Sequence, residues 1–234
     1  MTTIFHPASE RGHVDHGWLD THHSFSFAGW YDPQKVHFGA LRVLNDDIVL
    51  VGEGFGTHPH ENMEIVSIPL SGSLAHRDST GSAGTIHVDE VQIMSAGTGI
   101  RHSEYNGSPD EVVNFLQIWV FPRVNNIKPR YDQKRFDPAL RQNRWQVLVS
   151  PDERDGALWI NQDALFSRVR LEAGRSIDYE CRIPDHMVYL FLIEGLVEIG
   201  KQRLARRDAI GVSDANRFTI KAVETSDLLA IEIP

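Results

Sequence analysis

Two pairs of potential metal ligands stand out in the sequence. His58 and His60 flank Pro59 in GTHPHENME, and His102 and Glu104 flank a serine in GIRHSEYN. In an extended strand, side chains at positions i and i+2 project from the same face about 6 to 7 Å apart, so each pair could chelate one ion. Such a mixed nitrogen and oxygen set suits Fe(II), Mn(II), Ni(II), Cu(II) or Zn(II) and leaves roughly one or two coordination positions open. Open positions indicate chemistry rather than a purely structural ion.

The composition restricts the kind of protein that could hold this site. The chain has 234 residues, 41% of them hydrophobic and 24% charged, which is typical of a folded globular protein. Its net charge of -9 disfavours direct binding to nucleic acid or to anionic lipid. With neither a leader pattern nor an apolar run of about 20 residues, we expect a cytoplasmic protein without a membrane segment. Cys181 is the only cysteine, so a metal must be held by histidine and carboxylate.

The elements that must position these ligands are predicted to be strands. Short runs rich in Val, Ile, Leu and Phe recur along the whole chain between turn-forming residues, for example in EIVSIPL, VVNFLQIWVF, LFSRVRL and MVYLFLIEG. Helical periodicity is absent except for a minor helix predicted around 132–142. The pattern therefore predicts an all-β protein.

An internal repeat predicts two β-barrel domains. A strand, a glycine turn and a strand follow one another in EIVSIPLSGSLAH and again in YLFLIEGLVEI. Matching Gly72 to Gly195 places His60 on Ile183, and matching Glu90 to Asp208 places His102 on Ile220 and Glu104 on Ala222. We therefore predict a metal-binding domain over residues 1–130, a linker over 131–144, and a domain without ligands over 145–234. Eleven of the twelve histidines lie at or before position 102, in agreement with this division.

The motifs resemble those of a known family. The first cupin motif, GxxxxxHxHxxxE, is matched by Gly52, His58, His60 and Glu64, and the second, GxxHxxxN, is matched by Gly99, His102 and Asn106. More narrowly, THHSFSFAGWYDP, FGALRVLNDD, THPHENMEI, AHRDSTG and IMSAGTGIRHSEYN resemble the N-terminal signature of the pirin family. The resemblance covers roughly residues 10–121 and implies a bicupin with two jelly-roll-like β-barrel domains. Within the family, the chain is most similar to bacterial pirin-like quercetin 2,3-dioxygenases.

The pirin resemblance also implies a ligand set. It assigns the metal to His58, His60, His102 and Glu104, whereas the general cupin pattern would use Glu64 as the fourth ligand. Because both acids are present, the alternative stays open, and the HSE signature favours Glu104. Glu64 would then orient a ligand histidine or pack against the backbone. One divalent transition metal is expected as cofactor, Fe(II) first, with Zn, Mn, Ni, Cu and Co as alternatives.

The function expected from the resemblance is a metal-dependent dioxygenase that cleaves flavonols such as quercetin with O2 and releases carbon monoxide. Glu104 is the candidate catalytic base, because a metal-bound carboxylate can change its coordination and accept a proton. The alternative is a pirin-like regulatory protein, a transcription cofactor that binds a protein partner and turns nothing over. A cupin that binds a sugar or another small molecule without turnover is a third reading.

Several other residues have a structural interpretation. Adjacent strand residues point to opposite faces, so His22 and His23 cannot chelate together, and we predict structural roles for both. His76 is expected to bond the backbone rather than a carboxylate. The aromatic residues Phe25, Phe27, Trp30 and Phe38 could line a pocket for a flat substrate, although core packing is predicted for most of them.

Overall fold

The computed structural model describes residues 1–234 and has two compact units. The N-terminal unit comprises Gly12–Phe136 and Ile160–Gln162, and the C-terminal unit comprises Met1–Arg11, Asp137–Trp159 and Asp163–Pro234. Both units consist of strands, turns and short 3-10 helices. The prediction of an all-β protein is therefore confirmed.

The strands are numbered here in chain order. The first part of the chain contains β1 (Thr2–His6), β2 (Gly12–Asp15), β3 (Leu19–His23), β4 (Leu41–Val49), β5 (Gly54–His60), β6 (Glu64–Ser71), β7 (Ser73–Asp78), β8 (Ala83–His87), β9 (Glu90–Ser95), β10 (Ile100–Asn106), β11 (Val113–Val120) and β12 (Arg130–Arg135). The remainder contains β13 (Gln146–Ser150), β14 (Leu158–Trp159), β15 (Leu165–Leu171), β16 (Ser176–Glu180), β17 (Met187–Glu194), β18 (Leu196–Ile199), β19 (Gln202–Ala205), β20 (Ala209–Ser213), β21 (Arg217–Ala222) and β22 (Ser226–Ile233). Three 3-10 helices cover Ala8–Glu10, Pro138–Arg141 and Arg154–Gly156. No helix combines the length and the hydropathy needed to cross a membrane.

The N-terminal unit is a sandwich of two sheets. Its seven-stranded sheet has the order β12-β9-β6-β11-β4-β3-β2, and its four-stranded sheet has the order β5-β10-β7-β8. Along β10, Ile100, His102, Glu104 and Asn106 are buried, while the intervening Arg101 and Tyr105 are exposed. This alternation directs the second pair of candidate ligands into the interior of the sandwich.

The C-terminal unit has the same pair of sheets. A seven-stranded sheet with the order β1-β20-β17-β22-β15-β13-β14 is accompanied by a four-stranded sheet with the order β16-β21-β18-β19. Its core contains aliphatic residues from both sheets, among them Val169, Leu190, Val197, Ile210 and Leu228. The two jelly-roll-like domains of the predicted bicupin are therefore present, each as a sandwich.

Two of the differences between the observed division and the predicted segment boundaries concern edge strands. Within the predicted linker, Arg130–Arg135 forms β12, which pairs with β9 in the N-terminal unit. The helix predicted around 132–142 was wrong apart from the 3-10 turn Pro138–Arg141, where the Asp137 carboxylate accepts from the Ala139 amide at 3.0 Å. At the other end, β1 pairs with β20 and lies in the C-terminal unit. Both differences arise because an edge strand is fixed by a distant partner that local pattern does not specify.

Candidate metal centre

Three histidines converge where β5 and β10 pair. The antiparallel register places His102 opposite His58 and Ile100 opposite His60. The imidazole centroids are 4.5 Å apart for His58 and His102, and 4.8 Å apart for each of the other two pairs. One potential ligand atom from each ring lies within 4.8 Å of the others. The structure thus brings together the two sequence segments that were singled out by their spacing.

The protonation of these rings suits cation binding. Burial, with smaller contributions from neighbouring histidines, lowers the pKa of His60 from 6.5 to about 4 and the pKa of His102 from 6.5 to about 3. Both rings are therefore neutral near pH 7 and keep a lone pair available. His58 Nδ1 lies 2.8 Å from the Gly56 carbonyl oxygen, so donation of that proton leaves Nε2 as the lone-pair nitrogen.

Glu104 lies beside His102 and is held by a network of side-chain donors. Its carboxylate is buried and accepts from Gln92 Nε2 at 2.5 Å on Oε1 and from Gln117 Nε2 at 2.7 Å on Oε2. Ser67 Oγ is 3.2 Å from Oε1 and also accepts from Gln92 Nε2. A carboxylate has about four lone-pair sites, so these donors leave room for one further partner.

His76 is a member of this cluster that sequence reasoning did not place there. It pairs with Glu104 across β7 and β10, and it groups with His102 and Glu104 within 4.8 Å. Its Nε2 is 3.0 Å from Asp78 Oδ2, so the prediction of a backbone partner was wrong for this nitrogen. Burial favours a higher pKa for Asp78, but hydrogen bonds from Thr80, His76 and Ser82 lower it overall. The i, i+2 spacing of His76 and Asp78 in AHRD was the available signal.

Glu64 lies apart from the histidines, in the other sheet. Its neighbours across β6 are Ser95 and Val120, and it is in none of the potential ligand groups. Oε2 accepts from Ser95 Oγ at 2.7 Å and from the Asn161 amide at 3.2 Å. Burial raises the pKa of Glu64 from 4.5 to about 7. Of the two acids considered for a fourth ligand, only Glu104 groups with a histidine of the site.

The donor set fits a divalent transition metal. Both ring nitrogens of His102 are buried without a hydrogen-bond partner, as is Nδ1 of His76. A buried polar atom without a partner normally costs about 1 to 3 kcal/mol, so these atoms favour an additional partner. Neutral imidazoles and a carboxylate are the ligands that borderline divalent ions prefer.

An apolar cavity of about 360 Å³ lies in the same unit. Trp18, Phe27 and Phe55 contribute to its walls. Phe55 pairs with Glu104 across β5 and β10, and Phe27 packs at 5.3 Å against Trp119, whose ring is 4.8 Å from His60. Polar groups also line the cavity, among them Asn45, whose buried Oδ1 has no partner, and the hydrogen-bonded pair Thr21 and Asp47.

The aromatic residues considered from the sequence divide between packing and pocket. Phe25 and Phe38 are buried in the core, and the Trp30 ring packs against Gly12 so closely that a Cβ there would lie 2.3 Å from it. Only Phe27 lines the cavity. Packing is therefore confirmed for most of this set. His22 and His23 do point to opposite faces, the first partly exposed and the second buried.

The C-terminal unit allows the predicted repeat to be checked by ladder register. Glu104 pairs with His76, four residues after Gly72, and Ile220 pairs with Ile199, four residues after Gly195. Glu104 therefore matches Ile220 rather than Ala222, and His102 matches Phe218 rather than Ile220. By the same register, Asn106 matches Ala222. The prediction was wrong by two residues because 16 positions separate Glu90 from Asn106, whereas only 14 separate Asp208 from Ala222.

The remaining ligand positions follow from the same register. Tyr179 pairs with Phe218 as His58 pairs with His102, so Tyr179 occupies the position of His58. Two residues further on, Cys181 occupies the position of His60, which we had assigned to Ile183. Tyr179, Phe218 and Ile220 are buried in the apolar core, and Cys181 packs against it. None of these four positions holds a histidine or a carboxylate.

Comparisons with known proteins agree on both halves of the chain. A family model described as Pirin matches residues 4–120, and one described as Quercetinase C-terminal cupin domain matches residues 147–233. The quercetin 2,3-dioxygenase of Escherichia coli strain K12 is 43% identical over 97% of this chain and 96% of its own length. A pirin-like protein of Caulobacter vibrioides is 39% identical over 97% of both chains. The crystal structure of the bacterial pirin YhhW from Escherichia coli in complex with nickel(II) superposes with a TM-score of 0.94 at 41% identity, covering 100% of this chain and 99% of that one.

Proposed function

Because the chain belongs to the pirin family of bicupins, we propose that it is a metal-dependent dioxygenase that cleaves flavonols such as quercetin. The observation that carries this proposal is the convergence of three buried or half-buried imidazoles next to a carboxylate, in a unit that also has an apolar cavity with aromatic walls. The name of the Escherichia coli relative supports the reaction, and nickel(II) in the related pirin structure supports a single divalent ion.

We assign the ion to His58, His60, His102 and Glu104. One potential ligand atom of each histidine lies within 4.8 Å of the other two, and Glu104, which has one lone-pair site without a donor, groups with His102. His76 is assigned a supporting role because the pirin pattern does not include it among the ligands, and its Nε2 is held by Asp78. When bound, the ion would supply Lewis acidity, which lowers the pKa of a coordinated hydroxyl group. Fe(II) is the first candidate for this ion, and Ni(II), which is bound in the related pirin structure, is an alternative.

Glu104 is the candidate proton acceptor for the flavonol hydroxyl group. Its two oxygens are fixed by Gln92 and Gln117, which hold the carboxylate in one orientation. The three donors leave one lone-pair site on Glu104, so the carboxylate would have to change its coordination to the ion in order to accept this proton within hydrogen-bond reach. Removal of the proton leaves an electron-rich ring system that can react with O2.

The cavity accounts for the class of substrate. A flavonol is flat and largely apolar, and aromatic side chains pack favourably on such rings. Trp18, Phe27 and Phe55 offer these faces, while Asn45 Oδ1 can accept from a substrate hydroxyl group. A mostly apolar pocket with a few convergent polar groups is also the usual form of a small-molecule site.

Turnover of quercetin tests the proposal directly. Protein stripped of metal and reloaded separately with Fe(II), Mn(II), Co(II), Ni(II), Cu(II) and Zn(II) should consume one O2 per quercetin and release one carbon monoxide with at least one of these ions. Incorporation of both atoms of labelled O2 into the ring-opened product distinguishes a dioxygenase from simple oxidation of the substrate.

Matched acid variants connect the activity to the assigned residue. Glu104→Gln should lose turnover and bind the ion more weakly, whereas Glu64→Gln should retain both. Absence of quercetin loss with every ion would contradict the proposal and favour a regulatory protein, for which binding to a protein partner would have to depend on the metal or on its oxidation state.

A further inference from the structure

A second group of metal-ligand side chains lies on the edge ribbon formed by β2 and β3. The antiparallel register places His13 opposite His22 and Asp15 opposite Asp20, so the sequence His-x-Asp on one strand meets Asp-x-His on the other. Strand alternation puts these four side chains on one face. The intervening Val14, Thr21 and His23 line the cavity on the other face, so the group is separate from the interior histidine cluster.

Three of these side chains already meet around one carboxylate oxygen. His13 Nε2 is 2.9 Å from Asp20 Oδ1, and His22 Nδ1 is 3.5 Å from the same atom. The two imidazoles are stacked with centroids 4.3 Å apart. One ligand atom from each residue lies within 4.8 Å of the others. In a tetrahedral zinc site with metal–ligand bonds of about 2.0 to 2.1 Å, neighbouring ligand atoms are about 3.3 Å apart, so the three ligand atoms are near the required separation, and the stacked rings would rotate so that both point at the ion.

The surroundings favour a cation. Asp15 shares the face, and Asp46 pairs with His22 on the next strand. The net charge of the whole chain is -9. The side chains of His13, Asp20 and His22 are 52%, 44% and 38% exposed, so water can complete the coordination of an ion held there. Two imidazoles and one carboxylate match the preferences of borderline divalent ions such as Zn(II), Ni(II) and Cu(II).

We propose that His13, Asp20 and His22 form a second divalent-metal site on the outer face of the β2–β3 ribbon. The site takes a borderline divalent transition metal with three protein ligands and exchangeable water. It links the outermost strand of the seven-stranded sheet to its neighbour, because one ligand comes from β2 and two come from β3. It is independent of the proposed dioxygenase activity.

Zinc stoichiometry tests this site in the full-length protein without a histidine tag. Isothermal titration with Zn(II), checked by elemental analysis after gel filtration, should give two equivalents for the wild type. The double variant His13→Gln/His22→Gln should bind one equivalent fewer. The matched control His16→Gln, which changes a histidine in the turn between the same two strands, should keep both equivalents. Unfolding temperatures measured without metal verify that the variants fold.

Two further measurements separate this site from the interior one. A variant with His58→Gln and His60→Gln should lose the interior equivalent and keep the outer one, and quercetin turnover should be unchanged in His13→Gln/His22→Gln. Crystals soaked in Zn(II) should show an anomalous peak bounded by the three side chains. Equal zinc content in the double variant and the wild type, or no anomalous peak there at saturating zinc, would overturn the proposal.

Discussion

Glu64 provides a quantitative test of the interior electrostatics. Its carboxyl group is fully buried, Oε2 has two donors, and Oε1 has no partner. Burial raises its pKa from 4.5 to about 7. Since the folded state then binds the proton more tightly than the unfolded state, stability should fall as pH rises from 4.5 to 7 and should level off above that. A pKa shift of this size corresponds to about 3 kcal/mol of unfolding free energy.

Glu64→Gln should remove this dependence on pH. The amide oxygen can still accept from Ser95 and from the Asn161 amide, so the variant resembles the protonated wild type. At pH 5 the two proteins should have similar unfolding free energies. At pH 8 the variant should be more stable by up to about 3 kcal/mol, because the wild type then carries a buried carboxylate.

Urea unfolding of metal-free protein between pH 5 and 8.5 measures the difference. Native-state hydrogen exchange at the amides of β6 provides the local opening free energy in case the two units unfold separately. Glu61→Gln, at an exposed acid three residues earlier, is the matched control and should leave the pH profile unchanged. If the stability difference between Glu64→Gln and the wild type does not vary with pH, the assigned burial effect is refuted.

Three further outcomes are expected. Gln92→Leu and Gln117→Leu should each weaken metal binding roughly 10- to 100-fold in chelator competition, because each removes a donor to Glu104. Removing the interior ion with a chelator should lower the unfolding free energy by about 2.7 kcal/mol, compared with protein in free metal at 100 times Kd. Thermal unfolding of His102→Ala should be the same with and without the chelator, because this variant lacks a ligand. Phe27→Ala should raise KM for quercetin by up to roughly tenfold and change kcat little, because one aromatic contact in the cavity contributes about 0.5 to 1.5 kcal/mol to binding. An unchanged KM would mean that the substrate binds elsewhere.

The parts of the site that could be predicted from sequence are those set by local geometry. His58 with His60 and His102 with Glu104 lie at i, i+2 spacing on single strands, and strand alternation alone places each pair on one face. The supporting residues are different. Gln92 and Gln117 reach Glu104 from β9 and β11 in the other sheet, and these contacts depend on how the sheets pack. The spacing of Gln92, Glu104 and Gln117 in the sequence does not predict these contacts.

The same distinction applies to the fold. The strand runs and the two halves were visible as hydrophobic pattern, but the partner of an edge strand was not. β1 has only two large apolar residues, Ile4 and Phe5, yet it pairs with β20 about 200 positions later. The outer group of His13, Asp20 and His22 was overlooked for a related reason, since His13 and His22 become neighbours only through the hairpin register.

Comparison of the two units indicates that the candidate ligands of the N-terminal unit bind an ion. At the four ligand positions, the C-terminal unit has Tyr179, Cys181, Phe218 and Ile220, which pack with its apolar core. Side chains of this kind stabilise the fold by burial, at about 25 cal/mol per Å² of apolar surface. The N-terminal unit instead buries His102 with two unpartnered nitrogens and Glu104 within a polar network. The same arrangement of strands thus holds apolar residues at these positions in one unit and polar residues in the other. The polar residues lower the stability of the fold unless a further partner binds the nitrogens of His102. Metal binding should therefore stabilise the N-terminal unit selectively, and hydrogen exchange with and without metal should slow in β5 and β10 but not in β16 and β21.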